Sequence, residues 1–334
     1  MISGWVEYEG DTYFCGTENE GWAYTGWQYL EPDDDLSSDD YDDQEWFNFK
    51  SSGKARTSTT WYSKGKYYNF NSDGVMNSDW YDLTIATVAT DADGNSVIGT
   101  SNTTISKGAY TTEDGTKGTG WVYAEDQAED DTHWYYLVSF KDSKGTVRNV
   151  PFNSVSADGL KRAKVIKGKT YLFDTDGVML DDLQVLGYDT PADTLGGAIS
   201  KKLEAGTYYF NKNDGAVNGQ MVTGKTTVTK DGEDLYYYFD KSTGKAITNI
   251  VKDGSVYGPN GQRIAAEDGN SNAVVTLEED VVYNGHKILK DSTVVVSSTG
   301  KLRTSGTVKV DGVKYEISSN TKADAKWDAV EKPE

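Results

Sequence analysis

The residues of this chain that could do chemistry are mostly aromatic. Its 334 residues include 23 Tyr, 9 Trp and 9 Phe. Nucleophilic or acid–base chemistry has little to draw on. The one cysteine, Cys15, and the two histidines, His133 and His286, are far apart in sequence, so no nucleophile–base pair and no zinc-type cluster is suggested. Carboxylate pairs could be chosen at will from 53 acids and carry no weight. No glycine-rich phosphate loop precedes a helix, and Gly168-Lys169-Thr170 lacks the earlier glycine of such a loop. The expectation is a non-catalytic protein with no cofactor and no metal. What remains is a set of flat rings, several with polar tips, which can bury area between neighbouring units or line a groove between them.

These rings recur in one phrase. Trp61 to Trp80 reads Trp-Tyr-Ser-Lys-Gly-Lys-Tyr-Tyr-Asn-Phe-Asn-Ser-Asp-Gly-Val-Met-Asn-Ser-Asp-Trp. A short aromatic run of high strand preference is followed by Asn71-Ser72-Asp73-Gly74, residues that tolerate the positive φ of a tight turn. Gly168 to Met179 repeats the phrase nearly residue for residue, Gly206 to Gly215 repeats it with one extra turn residue, and Trp46 to Gly53 and Tyr237 to Gly244 are looser copies. Self-similarity at tens of residues means stacked supersecondary units, each too small to bury a core alone. No stretch has helical periodicity with caps, except a short turn near Leu180 to Leu186. With 35 Gly marking turns, the fold class is all-β.

Composition narrows the partners. Hydrophobic residues make up 36% of the chain and mean hydropathy is −0.65, so burial must lean on amphipathic aromatics. The net charge is −20, and residues 1–60 hold 14 acids against 3 bases. Such a surface offers no basic footprint for nucleic acid and is unsuited to an anionic membrane, but suits cationic ligands. No run approaches the roughly 20 apolar residues that span a bilayer, so no membrane insertion is expected. The start, Met1-Ile2-Ser3-Gly4-Trp5, has no basic-then-apolar leader and already looks like part of a repeat. The chain is therefore expected to be a portion of something longer.

Three regions are expected. Residues 1–137 are aromatic-rich repeats interrupted by an acidic segment and a β insertion. The acidic segment, Glu31 to Glu45, lacks the glycine of an EF-hand loop and reads as a solvated connection. The insertion, Leu83 to Ile105, is a hairpin by its Asp93-Gly94-Asn95 turn but has no aromatic face. Residues 138–264 keep the repeat and lose most Gly-Trp partners, which become Leu180-Asp181-Asp182, Asn218-Gly219-Gln220 and Thr248-Asn249-Ile250. Residues 265–334 are degenerate repeats or a β cap.

The phrase Gly-Trp, a gap, Trp/Tyr-Tyr-x-Phe/Leu-Asn-Ser-Asp-Gly-x-Met and Trp again resembles the cell-wall-binding repeats of Gram-positive surface proteins, which include choline-binding and glucan-binding modules. The resemblance covers residues 4–264 and is strongest at 46–81, 120–137 and 168–179. It implies an irregular β-hairpin solenoid and an extracellular, cell-surface protein. The partners it implies are the choline of cell-wall teichoic acid, or a glucan or host glycan, held in aromatic grooves between hairpins. Carried over to this sequence, one box would draw on Trp61, Tyr67 and Trp80, the preceding one on Trp27, Trp46 and Trp61, and a third on Trp121 and Trp134. A quaternary ammonium over such rings gains about 0.5 to 2 kcal/mol per good contact. The alternative from another class is a structural spacer or protein-interaction array whose grooves are filled by its own side chains.

Overall fold

The computed structural model describes residues 3–16, 21–33, 44–78, 80–90, 96–112, 115–126, 131–141, 147–154, 156, 158–195, 198–212, 218–267 and 269–332. Residues 34–43, which hold most of the acidic segment and the calcium question, lie outside them, as do the turn residues 91–95 and 213–217. Among the described residues every regular element is a β-strand. The stretch Asp182–Leu186, where a helical turn was expected, is a strand paired with Gly206–Phe210. Two compact units divide the chain. One comprises Met1–Leu160, Phe173–Met179 and Asp193–Ser200, the other Lys161–Leu172, Leu180–Ala192 and Lys201–Glu334.

Among the described residues of 1–141, the first unit contains five antiparallel hairpins in chain order. They pair Gly4–Tyr8 with Asp11–Cys15, Gly26–Leu30 with Glu45–Phe49, Thr59–Ser63 with Lys66–Phe70, Trp80–Thr90 with Ser96–Tyr110, and Gly120–Asp126 with Asp131–Lys141. A further strand, Val147–Pro151, extends the fifth. The second unit holds Arg162–Ile166 and all but the last residue of Lys169–Phe173, then Asp182–Leu186 with Gly206–Phe210, and Gly224–Lys230 with Glu233–Phe239. In the third hairpin the sharp reversal is made by Lys64-Gly65, whose φ values of 47° and 85° are both positive, as the primed two-residue hairpin turns demand. Asn71 to Gly74, the expected tight turn, instead carries the chain away from the hairpin toward the next one.

That second kind of turn joins one hairpin to the next. The Asn71 side-chain oxygen accepts hydrogen bonds from the N–H groups of Asp73 and Val75, and Asp174 does the same for Asp176 and Val178. An Asx side chain can thus fold the returning loop without help from the core. The residue after this loop bridges back to the strand just completed, as in Phe49 with Ala55, Phe70 with Met76 and Phe239 with Ala246. On its other side it donates its N–H to the preceding hairpin: Ala55 to the Thr12 carbonyl at 2.8 Å, Met76 to Trp46 at 2.8 Å, Lys117 to Tyr67 at 2.9 Å, Met221 to Thr170 at 2.7 Å and Ala246 to Thr207 at 2.8 Å. The acceptor is always three residues before the residue that closes its strand. One hydrogen bond per repeat thus fixes the stagger of successive hairpins.

Side chains alternate across each strand, so every hairpin has two working faces. One buries the closing residue and the one two before it. Phe47, Phe49, Phe70, Tyr135, Phe173, Phe210 and Phe239 are all within 2% of complete burial. The indole of the preceding hairpin covers that face. Trp5 packs on Phe47 at 4.7 Å, Trp27 on Tyr68 at 4.9 Å and Phe70 at 5.8 Å, Trp80 on Tyr135 at 4.6 Å, and Trp121 on Phe173 at 6.1 Å. The fourth hairpin, within which the expected insertion Leu83 to Ile105 lies, has Trp80 opposite Tyr110 at its base, in the register that Trp5 and Trp27 occupy. It is therefore a full member of the series with lengthened strands.

From residue 250 aliphatic side chains take over. Val256, Leu277, Val281, Ile288, Val294 and Val296 surround Trp327, which is 1% exposed. Residues on both sides of position 265 share one five-stranded sheet, in which Ile250 pairs in parallel with Val282.

Two predictions follow from the loop geometry. A Cβ at Gly177, where φ is +82°, would lie 2.5 Å from Pro151 Cβ and 3.2 Å from the Phe152 carbonyl, whereas one at Gly168, where φ is +79°, meets nothing within 4 Å. In urea melts, Gly177→Ala is expected to cost about 2–4 kcal/mol and Gly168→Ala about 1 kcal/mol, the former adding overlap to the φ strain both share. Burial pushes the Asp174 carboxyl above the ordinary carboxylate range against the pull of its two backbone donors. The protonated form therefore favours the fold, and this contribution is lost as pH rises through the folded value. Asp174→Asn, which puts here the residue type found at Asn71, is expected to be the more stable protein at pH 7, with the difference closing in melts below pH 4.

Candidate ligand site

The other face of each hairpin carries the rings that sequence reasoning singled out. In the second hairpin Tyr29 stands opposite Trp46 and Trp27 opposite Asn48. Tyr29 and Trp46 are cross-strand neighbours with centroids 5.0 Å apart and ring planes at 38°, and Trp27 meets Trp46 diagonally at 6.2 Å and 86°. Such pairing and diagonal contact are what the antiparallel register allows. The fifth hairpin repeats the arrangement. Tyr123 stands opposite Trp134 at 4.9 Å and 35°, and Trp121 meets Trp134 at 6.2 Å and 86°. Two hairpins some ninety residues apart in sequence thus build the same three-ring corner. Each corner has a half-buried indole at its floor, Trp27 or Trp121, and an exposed tyrosine at its edge.

The match extends to what precedes each corner. The Trp5 indole N–H donates to the Glu31 carbonyl at 2.9 Å, and the Trp80 indole N–H donates to the Glu125 carbonyl at 3.0 Å. Glu31 and Glu125 each lie two residues beyond the corner tyrosine, so in both places the hairpin before is anchored at the same point. Trp46 remains 43% exposed. In the fifth corner the Trp134 indole N–H is enclosed by protein without a hydrogen-bond partner.

Trp61 does not belong to such a corner. It stands opposite Tyr68, and Thr60 occupies the register that Trp27 has in the second hairpin. This one-residue offset turns the indole to the other face, where it meets Trp27 at 5.9 Å and Tyr68 at 6.0 Å. Its ring is capped by the Arg56 guanidinium, 4.1 Å from the centroid, which is held by an Nε bond to Asn48 Oδ1 of 2.8 Å. Loss of hydration lowers the pKa of that guanidinium from its ordinary value. Of the expected boxes, the structure therefore brings together Trp27 with Trp46 and Trp27 with Trp61, and Trp121 with Trp134. It does not assemble Trp61, Tyr67 and Trp80. Tyr67 pairs with Tyr62 at 4.7 Å, and Trp80 meets Tyr110 and Tyr135.

The sequence-based boxes gave no role to Tyr29 or Tyr123. The signal was present as Trp-x-Tyr in both strands, since residues two apart share a strand face. Arg56 was missed because nothing local ties a cation at position 56 to an indole at 61. Among the described residues no group of three or more His, Cys, Asp or Glu side chains is placed to hold a metal ion.

No family model matches the chain, and no curated protein matches it. Solved structures do. The chain is similar to choline-binding proteins. Choline binding protein F of Streptococcus pneumoniae, solved in the presence of a peptidoglycan analogue, is 18% identical over 97% of this chain and 86% of its own, with a TM-score of 0.36. CbpJ of Streptococcus pneumoniae is 19% identical over 96% and 92%, with a TM-score of 0.31. The choline-binding domain of CbpL from the same organism is 14% identical over 92% and 100%, with a TM-score of 0.25. The hairpin fold described above rests on its own registers and turns.

The floor and the open ring of a corner give opposite expectations for mutation. Trp46→Ala removes an exposed ring and should change stability by less than about 1 kcal/mol, whereas Trp27→Ala removes the floor between two hairpins and should cost about 2–4 kcal/mol. Urea melts of the two variants against wild type provide the comparison, and equal losses would contradict the division into buried floor and open ring.

Proposed function

We propose that this protein is a non-catalytic cell-wall-binding module of a cell-surface protein, and that its ligand sites are the two aromatic corners at Trp27, Tyr29, Trp46 and at Trp121, Tyr123, Trp134. The observation that carries the reading is the recurrence of one ring geometry in two hairpins, down to centroid distances of 6.2 Å in both and the shared carbonyl anchor behind each. Burial alone does not call for rings that stay open to solvent on one face.

The chemistry favours a quaternary ammonium, such as the choline of a teichoic acid, over a neutral sugar. An indole face and a tyrosine face meeting at an angle offer negative quadrupole density from two sides, and the protein's charge of −20 raises the local concentration of cations. A glucan or host glycan is the alternative occupant, because sugar faces also stack on indoles. Two weak sites on one chain match a polymer that repeats, since simultaneous engagement multiplies the apparent affinity.

A second reading, a spacer whose grooves are filled from within, draws support from one observation: Arg56 already covers Trp61. That reading describes Trp61 in the third hairpin.

Titration with choline chloride, with sodium chloride at equal ionic strength as the control and tryptophan fluorescence as readout, is expected to saturate. Trp46→Ala and Trp134→Ala are each expected to remove one of two equivalents, and the double variant both. A flat titration with choline but saturation with a glucan oligomer would move the assignment to sugar. No response to either would overturn the proposal.

A further inference from the structure

The carbonyl that receives the inter-hairpin hydrogen bond belongs to the residue whose ring would form a site, so the donor residue of the next loop sits beside that ring by construction. Its identity therefore decides what the ring meets. At Trp46 the donor is Met76, buried and uncharged. At Trp134 the bridge between Tyr135 and Val178 puts Met179 in the same place, and it too is buried. At Thr12, Thr170 and Thr207 the acceptor has no ring.

Two positions differ. Tyr67 is half exposed and paired with Tyr62, yet its neighbouring donor is Lys117, whose Nζ lies 5.8 Å from the Tyr67 centroid. Tyr236 occupies the corresponding place three residues before Phe239. The bridge between Tyr237 and Gln262 sets Arg263 beside it, and the guanidinium lies 3.9 Å above the Tyr236 ring. In both cases a cation from the next loop rests on the aromatic face, where Trp46 and Trp134 have a buried methionine beside the ring.

Resting on the reading above that these rings recognise organic cations, we propose that Lys117 and Arg263 are built-in occupants that close the Tyr67 and Tyr236 faces to an external quaternary ammonium, so that the loop residue ahead of each ring determines which hairpins bind ligand. A methionine there leaves the ring open, and a lysine or arginine supplies its cation from within. The covalently tethered ammonium or guanidinium competes with free ligand at a high effective concentration, so dilute choline cannot displace it. The site count of the array is thereby lower than its count of ring-bearing hairpins.

The test replaces each cation with the residue found at the open positions. Lys117→Met and Arg263→Met, made in the full chain, are the informative variants, because methionine is already accommodated at positions 76, 179 and 221. Bound choline per chain is counted by equilibrium dialysis with radiolabelled choline, alongside wild type and Trp46→Ala/Trp134→Ala. The expected result is one additional equivalent for Lys117→Met and one for Arg263→Met, both surviving in the background that lacks the two corner tryptophans. If wild type binds choline but neither substitution adds an equivalent, the internal-occupant proposal is overturned and the corner assignment stands. If wild type binds none while the variants do, the proposal holds and the corner assignment fails. If no variant binds, both fall. An independent readout is the NMR shift of the Lys117 Hε and Arg263 Hδ protons. Ring currents should move them upfield in wild type, and Tyr67→Leu or Tyr236→Leu should return them to ordinary values. Ordinary shifts in wild type would mean that the cations do not occupy the faces.

Discussion

The structure depends on one hydrogen bond repeated from hairpin to hairpin, from the N–H that follows each returning loop to the carbonyl three residues before the close of the preceding strand. A two-stranded hairpin in water is marginal at best. This bond, with the indole that covers the next hairpin's buried face, turns a set of marginal pieces into a cooperative one. It is local, involving nearest neighbours only, which is how repeat proteins accumulate stability without a single core. Because its geometry fixes the stagger, it also fixes which side chain of one loop faces which ring of the hairpin before.

The link explains why the two faces meet different physical demands. The buried face accepts only rings or aliphatics of the right volume, and its members, from Phe47 to Phe239, are nearly all phenylalanine or tyrosine. The other face has to present a floor indole to the next hairpin, but its edge positions are free. There the chain places Trp46, Tyr67, Trp134 or Tyr236, or simply threonine, without disturbing the stack.

Much of this was legible in the sequence. The strands, the glycine turns and the all-β class follow from the recurring aromatic phrase, and the indoles at 27, 46, 121 and 134 are found together as expected. What was not legible follows from three physical facts. Two kinds of turn share the same residue types, so Lys64-Gly65 and Asn71 to Gly74 exchange roles. Period-two alternation makes a one-residue shift reverse the face, so Trp61 could not be told from a true partner of Trp27 by spacing alone. Lys117 and Arg263 reach their rings through the stacking of separate hairpins, so no local pattern announces them. The C-terminal core around Trp327 was underestimated because its valines and isoleucines do not repeat the aromatic phrase.

The fourth hairpin carries a broader consequence. Its strands run 11 and 15 residues, yet at its base Trp80 and Tyr110 keep the register used by hairpins half as long. Each inter-hairpin backbone bond falls three residues before the close of its strand, so length added beyond that point toward the reversal leaves the bond's position unchanged. A hairpin can therefore carry extra length, new in sequence and in surface, while the aromatic register at its base is kept.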